Sequence, residues 1–213
     1  MQSLKPLEQK VDPAHTALVV VDMQRDYCCA GGILTRMGFD IAPVQALAPR
    51  LAEFVDRARY AHVPIIHLKM ATLPELRSPA LAEHYRRAGL ERPLDPSLSE
   101  FFGVIPHPGD IVIQKYRYSG FVSTYLERYL RANSVQTLVI TGVATNVCVE
   151  STARDGFMRD YSIVIPREMT EGTTPEAKRL SLETLEHFFA EVIYSDDLMR
   201  CWEGRAAPAR SDS

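Results

Sequence analysis

What this sequence lacks removes several classes of protein before any motif is read. No apolar run approaches the roughly 18 residues of a membrane-crossing helix, and Met1 to Asp12 is polar where a secretory leader would be apolar. No block of one charge sign occurs: 24 Lys and Arg stand against 27 Asp and Glu, a formal net charge of -3. Nothing electrostatic therefore asks for nucleic acid or an anionic membrane surface. The four cysteines, Cys28, Cys29, Cys148 and Cys201, are too few and too irregularly spaced for a disulfide scaffold in 213 residues. C-x-x-C pairs and the H-E-x-x-H helix are absent and the six histidines are scattered, so no metal site is expected. There is no internal repeat and no low-complexity segment. The expectation is a soluble cytoplasmic protein in a reducing compartment, folded as one domain over residues 1–202. Residues 203–213, rich in Ala, Pro, Arg and Ser, are expected to form a disordered tail.

What is present alternates. Ala17 to Val21 is an unbroken β-branched run of the kind buried in a parallel sheet, and Val63 to Leu68, Ile111 to Gln114, Thr137 to Thr141, Tyr161 to Pro166 and Val192 to Tyr194 repeat the signal. Between them lie helical periodicities. Pro43 opens a helix carrying Leu47, Leu51, Phe54, Val55 and Ala58; another carries Tyr125, Leu126, Tyr129 and Leu130; further ones cover Asn146 to Arg159 and Thr174 to Phe189. Such alternation predicts an α/β fold, a parallel sheet with helices on both faces and right-handed crossovers. From Met70 to Pro108 the periodicity weakens. Pro74, Pro79, Pro93, Pro96, Pro106 and Pro108 punctuate short helical pieces such as Ala80 to Ala88, which fits a functional excursion or lid.

Three chemically useful residues stand at strand ends, where open α/β sheets build their sites. Asp22 follows the first strand, Lys115 ends the third, and Cys148 lies in the first turn of the helix after the fourth. Singly, each has a bland reading: a turn or cap for Asp22, a solvated surface for Lys115, and a small packed side chain for Cys148. Together they form an acid, a cation and a nucleophile. A carboxylate near a thiol can take its proton, while an ammonium and a helix N-terminus favour the thiolate. His67 reads as a core position or a ligand. Arg86, Arg87 and Arg92 read as a solvated face or as partners for an acidic substrate or a neighbouring subunit. Cys28 and Cys29 read as loop residues, a vicinal disulfide or contacts to the centre.

Three segments, ALVVVDMQ at 17–24, IQKYRYSGF at 113–121 and TGVATNVCVEST at 141–152, resemble in that order the cysteine hydrolases of the isochorismatase-like superfamily. The resemblance spans about residues 16–194. It implies a three-layer α/β/α sandwich on a six-stranded parallel sheet with Rossmann-type winding, and an Asp–Lys–Cys triad carried by Asp22, Lys115 and Cys148. It also implies a non-proline cis peptide at Val143–Ala144 and an oxyanion hole made by the backbone N–H groups of Ala144 and Cys148. The implied reaction is hydrolysis of an amide through a cysteine thioester, with no cofactor. The implied partner is a small molecule, and the implied assembly a homodimer or homotetramer.

Cys148 argues against the isochorismatases proper, which lack that nucleophile. His67-Leu68-Lys69-Met70 does not reproduce the Asp-x-His pattern through which the nicotinamidases bind metal. The Gly31-Gly32 loop and the segments around Lys115 and Cys148 resemble most the enzymes that act on ureido compounds, of the ureidoacrylate and biuret type. Arg25 stands where Asn is frequent in them, and Tyr116 where the ureidoacrylate enzymes carry Pro. A planar ureido group calls for side-chain amides, phenols and backbone groups, and Gln24, Tyr27 and Tyr118 are the candidates to bind it. If the substrate carries a carboxylate, Arg117 or another arginine has to balance it. The other readings are an amidase for a different small amide, nicotinamide-like or N-carbamoylsarcosine-like, a redox protein using Cys28, Cys29 and Cys148, and a catalytically silent binding or assembly member.

Overall fold

β-Branched runs with no polar interruption have to be covered on both faces, and the chain does so. The computed structural model describes residues 5–71, 76, 78–91 and 95–203. The strands are β1 (Thr16–Val21), β2 (Ile65–Met70), β3 (Ile111–Lys115), β4 (Thr137–Val143), β5 (Ser162–Pro166), β6 (Thr170–Glu171) and β7 (Glu191–Ile193). All their pairings are parallel, in the order β3-β2-β1-β4-β5-β7, with the two-residue β6 beside the end of β4. The six-stranded path matches the sequence expectation. β6 is additional, because two residues carry no periodicity to read.

The helices are α1 (Leu7–Lys10), α2 (Arg25–Cys28), α3 (Ile33–Arg36), α4 (Ala42–Tyr60), α5 (Pro79–Arg87), α6 (Leu126–Ala132), α7 (Glu150–Phe157), α8 (Pro175–Phe188) and α9 (Ser195–Glu203). Alternation along β1 divides the core. Leu18 and Val20 point to the face covered by Leu47, Leu51 and Phe54 of α4 and Leu198 and Trp202 of α9. Ala17, Val19 and Val21 point to the face covered by Leu126 of α6, Ala153 of α7 and Leu182 of α8. Helix, sheet and helix thus form three layers. Trp202 is buried, packs on Phe54 at 5.9 Å and donates its indole N–H to Val11 O at 2.8 Å, so its large apolar surface is buried without an orphaned donor.

Several boundaries depart from the sequence expectation. β2 begins two residues later than Val63 and runs to Met70, and β4 continues through Gly142 and Val143. The segment from Asn146 opens as a π-turn, Thr145–Val149, before α7 begins at Glu150. Tyr125 stands at the cap of α6, its hydroxyl donating to Val112 O at 2.9 Å. Glu203, placed in the tail by composition, instead closes α9 and pairs with Arg57 at 2.5 Å. Residues 204–213, Pro74, Pro93 and Arg92 lie outside the described residues. No helix among the described residues is long and apolar enough to cross a membrane.

Candidate active site

The carboxyl ends of β1, β3 and β4 converge because the sheet lets them come unusually close. Val21 lies in register with Gly142, and a Cβ on Gly142 would sit 2.2 Å from Val21 O. Gly142 also has φ +98°, which side-chain-bearing residues rarely adopt. Only glycine allows the last residue of β1 and the start of the nucleophile turn to touch here. One residue further along each chain, Asp22 takes φ +50° and Val143–Ala144 is a cis peptide.

Asp22 Oδ2 then lies 2.8 Å from Lys115 Nζ, with both side chains fully enclosed. The Lys115 ammonium also donates to Arg117 O and Tyr118 O, each at 3.2 Å, so the loop after β3 holds its other protons. The Cys148 thiol, 5% exposed, lies beside both Asp22 and Lys115 and interacts with each. The three residues expected from sequence are therefore in mutual contact.

Their proton affinities follow from burial. Burial raises the Asp22 carboxyl above the ordinary value of 3.8, and the Lys115 charge and hydrogen bond lower it only in part. Burial lowers Lys115, but the Asp22 carboxylate and the neighbouring Cys148 sulfur outweigh this and hold it above 10.5. For Cys148, burial pushes the thiol up, Lys115 pulls it down and Asp22 pushes it up again, leaving it above 9.0. This differs from the thiolate expected from a helix start. A buried sulfur beside a carboxylate keeps its proton more tightly than an exposed thiol at a helix start. Burial raises the proton affinity of thiol and carboxyl alike, and their position side by side at one ammonium lets a proton pass between them.

The turn carrying Cys148 is fixed by hydroxyls and an amide. Thr152 Oγ1 donates to Cys148 O at 2.7 Å and accepts the Gly120 N–H at 3.1 Å, tying the Cys148 turn to the loop after Lys115. Asn146 Oδ1 accepts the Thr173 N–H at 3.0 Å, and Ser181 Oγ donates to Glu150 Oε2 at 2.6 Å. These supports were not read from the sequence. A threonine four residues after Cys148 on the same helical face was the available signal.

Tyr27 and Tyr118 lie within electrostatic reach of Cys148. Burial raises both phenols, Asp22 adding to the effect at Tyr27 and Lys115 opposing it in part at Tyr118, so each stays a neutral O–H. Tyr85 of α5 couples to Tyr27, which brings the 70–108 excursion to the site through a residue not singled out from sequence. Gln24 does not face the centre. Its amide is 1% exposed and spent on backbone: Oε1 accepts Met70 N–H at 2.8 Å, and Nε2 donates to Met70 O at 3.0 Å and Ser99 O at 3.1 Å. As a substrate ligand it is corrected by this geometry. Arg117 donates to Leu76 O at 3.2 Å and Tyr116 O at 2.6 Å.

His67 is a core residue, its Nε2 3.2 Å from Asp110 Oδ2. No disulfide joins any of the four cysteines, Cys28 and Cys29 included. Among the described residues no group of three or more His, Cys, Asp or Glu could hold a metal ion.

A family model described as "Isochorismatase domain" matches residues 16–197. The chain belongs to the isochorismatase family. Curated relatives within reach include a ureidoacrylate amidohydrolase of Methylobacterium radiotolerans, 38% identical over 205 residues that cover 88% of this chain and 80% of the relative. A ureidoacrylate amidohydrolase of Pseudomonas syringae pv. syringae is 36% identical over 210 residues, 91% of this chain and 86% of the relative. Among solved structures, a cysteine hydrolase from Pseudomonas syringae pv. phaseolicola superposes with a TM-score of 0.79 at 26% identity, covering 92% of this chain and 95% of that one. The family core, residues 16–197, contains the whole Asp22–Lys115–Cys148 contact set.

Proposed function

We propose that this protein hydrolyses a C–N bond of a small ureido or carbamoyl compound through a covalent Cys148 intermediate. The observation that carries the proposal is a thiol, a carboxylate and an ammonium enclosed together, with Asp22 and Lys115 at 2.8 Å and the thiol beside both. Membership of the family and the amidohydrolase relatives, which act on ureidoacrylate by name, support the hydrolase class and the choice of substrate.

In the proposed reaction the substrate carbonyl carbon binds over Cys148 Sγ. Asp22 takes the thiol proton as the S–C bond forms, and the carbonyl oxygen becomes an oxyanion. The backbone N–H groups of Ala144 and Cys148 receive that charge, each well-placed donor contributing on the order of 3 kcal/mol. As the tetrahedral species collapses, the C–N bond breaks and Asp22 returns its proton to the leaving nitrogen, so ammonia or an amine departs neutral. Water then attacks the thioester-like carbonyl, Asp22 takes one of its protons, the S–C bond breaks and the sulfur regains a proton from Asp22. Lys115 keeps its charge throughout and compensates whichever of the carboxylate and sulfur is negative.

Tyr27 and Tyr118 are the proposed contacts to the ureido group, as neutral phenols able both to donate and accept. Tyr118, 37% exposed, stands nearer the solvent side of the centre. An ammonia-release screen over ureidoacrylate, biuret, N-carbamoyl amino acids, nicotinamide and simple amides tests the substrate class. Turnover concentrated on ureido compounds is expected. Turnover confined to nicotinamide or simple amides would overturn the ureido reading while leaving the amidohydrolase class standing.

A further inference from the structure

Gln24 stands two residues from Asp22 and yet turns its side chain to the sheet. β1 and β2 end out of step. Their last register pair is Val21 with Leu68, and the Asp22 N–H donates to Leu68 O at 3.0 Å. β2 goes on to Met70, whose N–H and C=O face the side that β1 has just vacated, because Ala71 N–H on the alternate side donates to Lys115 O at 2.8 Å. The Gln24 amide occupies the vacated place. Its Oε1 accepts from Met70 N–H and its Nε2 donates to Met70 O, the two bonds that a longer parallel β1 would have made through two of its residues. The second Nε2 proton goes to Ser99 O at 3.1 Å. An amide with both donors used and its oxygen engaged, inside a site 1% exposed, has no capacity left for a ligand.

The connection runs to both charged partners of the centre. On one side, Gln24 N–H donates to Asp22 O at 2.7 Å, closing the turn that follows the left-handed backbone of Asp22. On the other, Met70 lies in register with Lys115 across β2 and β3. We propose that Gln24 is a positioning residue: its side chain stands in for the missing end of β1 and holds the Asp22 turn against the β2–β3 ends, so that Asp22 and Lys115 meet at 2.8 Å beside Cys148. The proposal rests on the reading of Asp22, Lys115 and Cys148 as the reacting set, and adds to it the element that sets their spacing.

Two near-isosteric variants test it. Gln24→Met keeps the volume and removes all three bonds. Gln24→Glu keeps the acceptor but can donate to Met70 O only when its carboxyl is protonated. Both are compared with wild type for folding by circular dichroism, for kcat and KM on the preferred ureido substrate across pH, and for the rate of Cys148 alkylation by iodoacetamide, resolved by peptide mass spectrometry.

With Gln24→Met folded, kcat is expected to fall about 10- to 100-fold, the cost of a misplaced reacting group, while KM changes less than about threefold. The acid limb of the kcat/KM profile is expected to move to higher pH, because a carboxylate less tightly paired with Lys115 holds its proton more strongly. Cys148 alkylation at neutral pH is expected to slow for the same reason. Gln24→Glu is expected to approach wild-type kcat as pH falls and its carboxyl becomes a donor. A rise in KM with kcat unchanged would make Gln24 a substrate contact and overturn the proposal. So would wild-type profiles in both variants, or loss of fold in both at every pH. If wild type turns over no ureido compound, the reaction reading fails; alkylation of Cys148 then still decides whether Gln24 sets the spacing.

Discussion

The sheet buries a carboxylate at each end of β3, and the two are treated in opposite ways. At the amino end, Asp110 receives Arg59 Nη2 at 2.7 Å and Nε at 3.3 Å, the His107 N–H at 2.9 Å and His67 Nε2 at 3.2 Å. At the carboxyl end, Asp22 has Lys115 at 2.8 Å and the Cys148 thiol. Burial raises both carboxyls, but at Asp110 Arg59, the His107 N–H and His67 outweigh it, and the group sits below 3.8. At Asp22 burial prevails over Lys115, and the group sits above 3.8. An acid whose lone pairs are filled by fixed donors is a permanent anion that ties strands and helices together. One left with spare acceptor capacity beside a thiol can take a proton and return it. The presence of an acid, a cation and a third polar group is therefore not what distinguishes a reacting centre from a structural one. How deeply the acid is buried, together with how many donors are already committed to it, is.

The sharpest way to break this contrast is to neutralise each acid in turn. Asp22→Asn should lower turnover on the order of 10⁴-fold, in the range found when one member of a cooperating catalytic set is removed. Asp110→Asn should leave turnover of the folded enzyme within about threefold of wild type. Ammonia release per folded molecule measures both, and a comparable loss in Asp110→Asn would erase the distinction.

Removing the cations comes next. Lys115→Met leaves Asp22 enclosed without its countercharge and should cost about 3 kcal/mol of stability, with part of the penalty relieved if Asp22 takes up a proton. Arg59 is 25% exposed, so water shares the burden at Asp110 and Arg59→Met should cost about 1 kcal/mol. Urea unfolding at neutral pH gives both values, and the order of the two is the test.

The two carboxyls should also tilt the pH dependence of stability in opposite directions. Asp110 has a folded-state value below 3.8, so its contribution is complete above 3.8 and is lost as pH falls through the lower folded value. Asp22 has a folded-state value above 3.8, so as pH falls through that value the folded chain gains a proton the unfolded chain does not, and stability rises. Burial likewise holds His67 below 6.5, so stability falls as pH drops under 6.5 and the unfolded chain alone takes the proton. Urea midpoints from pH 7 to pH 3 should accordingly lose the acid-side decline in Asp110→Asn and the decline below 6.5 in His67→Phe. The smallest effect belongs to Thr152→Val, about 1 kcal/mol for the link between Cys148 O and Gly120 N–H.

The fold and the meeting of Asp22, Lys115 and Cys148 were legible because both leave one-dimensional signals. Buried parallel strands are continuous apolar runs, and a polar residue where such a run stops is conspicuous, as at Asp22, Lys115 and Cys148. Gln24 shows where that signal ends. It stands at a strand end too, but its role depends on Met70 and Ser99, 46 and 75 positions away, and on β2 outrunning β1 by two residues. Side chains that bond to distant backbone have no sequence periodicity. Tyr85 was hidden for a related reason, since α5 buries no residue fully and its register says nothing about what it approaches. The state of the Cys148 thiol was misjudged because a helix start is visible in sequence, whereas complete burial beside a carboxylate is a property of the assembled sheet.

Whether Cys148 is the nucleophile is tested most directly by ammonia release from ureidoacrylate by wild type, Cys148→Ser and Cys148→Ala at equal concentrations of folded protein. Turnover by wild type with losses of about 10⁴-fold or more in both variants is the expected result. Turnover that survives Cys148→Ala would contradict covalent catalysis at this thiol.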